Sequence, residues 1–171
     1  MTEASINRSL YHLFNNYNYK LFNAFVFDWE CDFFAISTSN YIIEIEIKID
    51  RSDFKNDFKK TIWFGNGPVL KHDYLADSNI TYKPNKFYYA CPDGLIKPDE
   101  IPENYGLIYI QNHKRDIVKQ AKFLHKTDLM QDNRLLKSLL NKFYYRNALL
   151  KSAMDLYEWD IKYGQKRLYA N

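Results

Sequence analysis

From Ile43 to Ile49 the chain alternates without interruption, with Ile43, Ile45, Ile47 and Ile49 interleaved by Glu44, Glu46 and Lys48. Successive side chains of a strand point to opposite faces. The segment therefore predicts a β-strand whose isoleucines fill a core while two carboxylates and an ammonium line up behind them. Charge removed from water is costly unless it is paired or bound to a metal, so this stripe restricts what can lie against its face.

The neighbouring segments supply partners. The pattern predicts β structure over residues 25–36 and 41–49, joined by a hairpin turn at Ser37-Thr38-Ser39-Asn40. Asp28, Glu30 and Asp32 share one parity of the first segment, and Phe27, Trp29, Cys31 and Phe33 the other. Ile6, Leu10, Leu13, Phe14 and Tyr17 recur at helical spacing, predicting a first helix from Ala4 to Asn16. Arg51-Ser52-Asp53 leads into a short helix with Phe54 and Phe58 on one face, and Phe64-Gly65-Asn66-Gly67-Pro68 interrupts regular structure. Strands are predicted at Lys86–Cys91, before the turn Pro92-Asp93-Gly94, and at Gly106–Gln111. From Arg115 onward, and again from Asn133, the chain reads as helical.

The last helix carries a heptad seam. Leu136, Leu140, Phe143, Asn147, Leu150, Met154, Tyr157 and Ile161 are separated alternately by four and three residues. Packing on the same domain and pairing with a second chain as a homodimer both suit such a seam, and Asn147 at a core position suits control of register.

With 171 residues the chain is long enough for one domain with a full core, here rich in tyrosine (15) and phenylalanine (12). Few glycines and prolines argue against disorder or a collagen-like structure. No apolar run reaches the ~20 residues that span a bilayer, and MTEASINRSL lacks a secretory signal. Cys31 and Cys91, outside any CxxC spacing, read as buried thiols in a reducing cytoplasm. The net charge of +3 hides an asymmetry: residues 1–112 hold eleven Lys/Arg against fifteen Asp/Glu, and residues 113–171 thirteen against six. These halves are expected to be a core (1–112) and a basic helical extension (113–171) packed on it. An acidic half able to hold cations and a basic half able to hold phosphates suit an enzyme acting on nucleic acid, while a solvated basic helix surface also accounts for the second half, and charge alone does not decide between them.

If the two β segments pair, Asp28, Glu30 and Asp32 approach Glu44, Glu46 and Lys48. Asp32 and Glu46 then become candidate ligands for Mg²⁺ or Mn²⁺, a hard cation that takes one or two carboxylates plus waters and phosphate. The Ile47 carbonyl is a further candidate ligand, and Lys48 would face the charge that develops on a phosphate under attack. Glu44 and Glu3 are additional candidates. The same stripe also suits an ordinary exposed strand face with cross-strand ion pairs, and spacing alone does not separate the two.

A wider pattern favours the metal site. Trp29-Glu30-Cys31-Asp32-Phe33-Phe34, Glu46-Ile47-Lys48, the run from Arg51 to Lys60, and Lys71-His72 together resemble the PD-(D/E)XK nuclease superfamily. Within it the chain is similar to the MmcB-like, DNA-repair-type branch, a likeness carried further by Lys86–Ile96 and Ile101–Tyr109 and spanning residues 20–112. The resemblance implies an α/β/α sandwich around a small mixed sheet, restriction-endonuclease-like, with C-terminal helices added. It implies a metal site where adjacent strands diverge, with Asp32 as the motif aspartate, Glu46 as the (D/E) and Lys48 as the lysine. No proline precedes Asp32. Lys59, Lys60, Lys71 and His72 fall where the family is basic and are expected to contact the nucleic-acid backbone. The expected activity is metal-dependent hydrolysis of DNA, in repair or in phage and mobile-element processing, with RNA an open alternative substrate. A catalytically idle module of the same fold, binding DNA or a protein, is the competing expectation.

Overall fold

Helix α1 (Glu3–Leu13) opens a computed structural model that describes residues 1–111 and 114–159. Its start is fixed reciprocally: the Ser5 N–H donates to Thr2 Oγ1, and the Thr2 N–H to Ser5 Oγ. The helix stops at Leu13, short of the expected Asn16, and buries Ile6 and Leu10.

Strands β1 (Tyr19–Val26) and β2 (Trp29–Ile36) form an antiparallel hairpin, so the single segment expected over 25–36 is two strands. The connection is the pair Phe27-Asp28, both at positive φ (59° and 70°). Such two-residue turns normally carry Asn-Gly or Asp-Gly. Here the Phe27 ring is fully buried against Trp29, Phe34 and Tyr82, which offsets the backbone cost. Asp28 consequently sits in the turn, away from the strand face where parity had put it.

Strand β3 (Ile42–Ile47) follows the predicted Ser37–Asn40 turn and pairs antiparallel with β2. Helix α2 (Arg51–Asp57) is capped by Asp50, whose Oδ1 accepts the Asp53 N–H at 2.8 Å. The segment expected to be irregular holds a small hairpin, β4 (Thr61–Phe64) and β5 (Gly67–Leu70), and then helix α3 (Lys71–Ala76). Strands β6 (Lys86–Pro92) and β7 (Gly106–Gln111) fall where predicted. Residues 114–119 are strand β8 (Lys114–Lys119), antiparallel to β7, and not helix. The sheet therefore continues past residue 112, and the helical reading begins correctly only at α4 (Asn133–Trp159). Ile161 lies outside the described residues.

The main sheet runs β1-β2-β3-β6-β7-β8, with β3, β6 and β7 parallel at its centre and antiparallel pairs outside them. This is a mixed α/β architecture with helices on both faces. On one face α1 presses Ile6, Leu10 and Phe14 onto Phe33, Ile43, Ile45, Ile47, Tyr88 and Ile108. On the other, Phe54 of α2, Leu75 of α3 and Leu135 of α4 meet Phe34, Ile36, Ile42, Phe87, Tyr89 and Leu107. Gly106 belongs at its position because a Cβ there would stand 2.1 Å from the Tyr88 ring. The isoleucine alternation holds for Ile43, Ile45 and Ile47, whereas Ile49 lies beyond the strand and is exposed.

One irregularity positions the polar groups. The β1–β2 ladder skips Asn23 and Asp32, and Asn23 adopts φ 47°. Cys31 and Phe33 share parity yet enter opposite cores. The strands bend at Asp32.

Candidate functional site

The last β2–β3 pair is Phe33 with Ile45; beyond it the strands separate. Asp32 fills the gap, its Oδ2 accepting the Ile47 N–H at 2.8 Å. Glu46, next to Ile47, projects from the face covered by α2 and α3, with Glu44 on one side and Lys48 on the other. These three side chains are 0 %, 1 % and 1 % exposed for Glu44, Glu46 and Lys48. The polar stripe is thus enclosed and not a solvated strand face.

Cations from two later segments meet it and its own Lys48. Lys71, the first residue of α3 and 2 % exposed, bonds both Glu44 Oε1 (2.8 Å) and Glu46 Oε1. Lys48 lies between Glu46 Oε2 (3.1 Å) and Asp57 Oδ1 (2.8 Å). Lys60 reaches the same two groups at 3.2 and 2.9 Å from a side chain that is 45 % exposed. Asp57, fully buried at the end of α2, also accepts from the Tyr89 hydroxyl (2.6 Å) and His72 Nε2 (2.9 Å). An ionised carboxylate only accepts, so the His72 ring carries a proton on Nε2 and turns Nδ1 to the Tyr105 hydroxyl, 2.9 Å away. The Trp29 indole N–H donates to Glu44 Oε1 at 2.8 Å.

Three lysines thus face Asp32, Glu44, Glu46 and Asp57, and Asp32 is the carboxylate without an ion pair. Burial and the adjacent Glu46 push its pKa up to about 7. Burial acts on Glu46 in the same direction, but Lys71, Lys48 and Lys60 overcome it and hold Glu46 at about 2. Asp57 is likewise depressed, because His72 and Lys48 outweigh its desolvation. Lys60 and Lys71 are raised: burial opposes their charge, and the surrounding carboxylates more than restore it. Burial raises Glu44 despite Lys71, and its Oε2 has no hydrogen-bond partner.

Asp32, Glu46, Ile47 and Lys48 are therefore brought together, with Glu44 and Lys60 beside them. Lys71 and His72, expected at the surface, are internal and hold carboxylates and hydroxyls in place. Lys59 is exposed. Glu3 is exposed on α1, which covers the opposite face of the sheet, and does not join the group. Glu30 is exposed at the rim. Sequence reasoning missed Asp57, Tyr89, Trp29 and Tyr105, which organise the cluster. The one available signal was Asp57 standing among Lys55, Lys59 and Lys60.

A cleft of about 250 Å³ opens at this point, lined by Trp29, Glu30, Glu46, Lys60, Thr61, Ile62 and Lys71. Among the described residues, no set of three or more His, Cys, Asp or Glu side chains is arranged to hold a metal. The donors fit a largely hydrated ion held by two carboxylates, as magnesium accepts, and not an all-protein cage. Asp32 supplies the uncompensated charge such an ion neutralises. Lys48 and half-exposed Lys60 share Glu46 Oε2 while Lys71 holds Oε1, so withdrawal of Lys60 frees one position on Oε2 and leaves Lys48 and Lys71 in place.

No family model and no curated protein matches the chain. Among solved structures, its fold is similar to that of the SPO1766 protein of unknown function from Silicibacter pomeroyi. The TM-score is 0.62 at 17% identity, covering 90% of this chain and 94% of that one. Among the described residues, no helix is long and apolar enough to cross a membrane.

Proposed function

We propose that this chain is a divalent-metal-dependent nuclease of the PD-(D/E)XK type, restriction-endonuclease-like in fold, that hydrolyses phosphodiester bonds in DNA. The observation carrying the reading is the meeting of Asp32 and Glu46 where β2 parts from β3, with the Lys48 ammonium fixed beside them. Asp32, Glu46 and the Ile47 carbonyl would hold Mg²⁺ or Mn²⁺, which when bound supplies a Lewis acid for the scissile phosphate and a more acidic water. Lys48, aligned by Asp57, offers its charge to the phosphate oxygens as negative charge builds on them. His72 and Tyr89 act one step back, orienting Asp57. Lys60 at the cleft and exposed Lys59 next to it in sequence would contact backbone phosphates. The free, buried thiols of Cys31 and Cys91 agree with a cytoplasmic setting, in repair or in phage and mobile-element DNA processing.

A second reading, an idle module that binds DNA or a protein without cutting, is favoured by one observation. Both Glu46 oxygens are already taken by ammonium groups. Incubation with Mn²⁺ and plasmid DNA, single-stranded DNA or RNA separates the readings. Cleavage that disappears in folded Asp32→Asn and Lys48→Met proteins supports the nuclease. Undiminished cleavage by the doubly substituted protein refutes the site, and calorimetry without Mn²⁺ binding at millimolar metal supports the idle module.

A further inference from the structure

The seam carried by α4 plays no part in the cleft. Its a and d positions run from Leu136 to Tyr157, with Leu140, Asn147 and Met154 at a. The helix docks on its own domain mainly through other residues, with half-exposed Phe143 the seam residue that borders β1. Leu135 is fully buried, Leu139 packs on the core, and the Lys142 ammonium donates to the Asn23 carbonyl. These lie about a quarter-turn around the helix from the seam. On the seam itself Leu140 is 66% exposed, Met154 62% and Tyr157 67%. The result is an apolar strip about 32 Å long and one helix wide, of the size that marks an interaction surface.

We propose that this strip is a homodimer interface in which α4 helices from two copies pair in parallel as a short coiled coil. Three features select a second copy as the occupant. The four-three spacing is that of two supercoiled helices, and it continues through Leu150, Met154 and Tyr157, where the helix is exposed all round and has left its own domain. Asn147 stands at a central a position between Phe143 and Leu150 at d, so in a parallel pair it meets its own counterpart. The two amides then bond each other, whereas an apolar partner would bury the amide unsatisfied. Finally, the quarter-turn offset sends the two domains to opposite sides of the helix pair when a two-fold axis runs along the seam. At the flanking g and e positions Arg146 of one copy faces Lys151 of the other, so the association tightens as salt rises.

Sedimentation equilibrium of the full chain tests this. The expected mass at about 100 µM is twice 20.6 kDa, with tighter association at high salt than at low. Leu140→Glu with Met154→Glu, both at exposed positions, should sediment as a single chain with an unchanged near-ultraviolet circular dichroism spectrum. Leu149→Glu, exposed on another side of the helix, should remain dimeric. A wild-type monomer at that concentration overturns the proposal. So does a dimer that survives the paired seam substitutions, or one that Leu149→Glu dissociates equally well.

Discussion

The Asp32 carboxylate takes the place of a backbone carbonyl: its Oδ2 accepts the Ile47 N–H at 2.8 Å after β2 has left the β3 ladder. The bond satisfies a donor that would otherwise lose its partner at the divergence. It also fixes one carboxylate beside another, Glu46, inside a region with little water. Two anions so placed do not both ionise freely.

Asp32 should therefore make the protein less stable as pH rises. Its folded pKa of about 7 lies above the ordinary 3.8, so the folded state holds a proton that the unfolded state releases between those values. Stability falls through that window, and the loss is complete above pH 7. Asp32→Asn removes the effect while keeping an oxygen for the Ile47 N–H. In EDTA, the variant should match wild type near pH 4 and exceed it at pH 8 by on the order of 4 kcal/mol. Urea denaturation at both pH values measures this, and parallel curves for the two proteins would contradict it. Glu46, depressed to about 2, acts in the opposite sense: its contribution is present above its ordinary 4.5 and is lost as pH drops through about 2.

Lys71 is expected to be the most sensitive cation to remove. Its ammonium bonds Glu44 and Glu46 and also lies 5.2 Å from the centre of the Trp29 ring. Lys71→Met keeps most of the volume but strands the buried Glu44 carboxylate and leaves Glu46 to Lys48 and Lys60, at a cost of about 3–5 kcal/mol. Adding Glu44→Gln should recover part of the loss, because the stranded charge is gone. Chemical denaturation of both variants at neutral pH provides the measurement. Equal stability of Lys71→Met and wild type would mean that the ammonium does not hold the cluster.

Gly106→Ala addresses packing alone. The added Cβ would approach the Tyr88 ring to 2.1 Å and the Ala121 nitrogen to 2.9 Å. Either β7 or the ring must shift, which should lower stability by about 1–3 kcal/mol. A thermal melt unchanged from wild type would show that this part of the sheet yields without strain.

What was legible beforehand follows from the range of the interactions. The β3 stripe and strands β6 and β7 could be read because alternation and short apolar runs are local signals. Asp32, Glu46 and Lys48 were found together for that reason, aided by the family resemblance. The Phe27-Asp28 turn was hidden because a buried aromatic ring replaces the usual glycine. Strand β8, Lys114–Lys119, reads as polar because it forms the edge of the sheet, where charged side chains are favoured. Lys71 and His72 look like surface residues in sequence; only the carboxylates of β3 and α2, folded over them, make burial tolerable. Asp57 was missed on the same account, since its partners Lys48, His72 and Tyr89 come from three different elements.

The enclosed charges also impose an order on how the two sides of the sheet close. Glu44 and Glu46 arrive with β3, but Lys71 follows Glu46 by 25 residues. Drying those carboxylates before α3 lands costs several kcal/mol per ion, so that side stays hydrated until its cation docks. The side under α1 is an apolar cluster with no buried carboxylate or ammonium among the described residues, and is free to collapse at any time. One layer can thus assemble early while the other shuts last, and solvent should re-enter through the late layer whenever the native protein breathes.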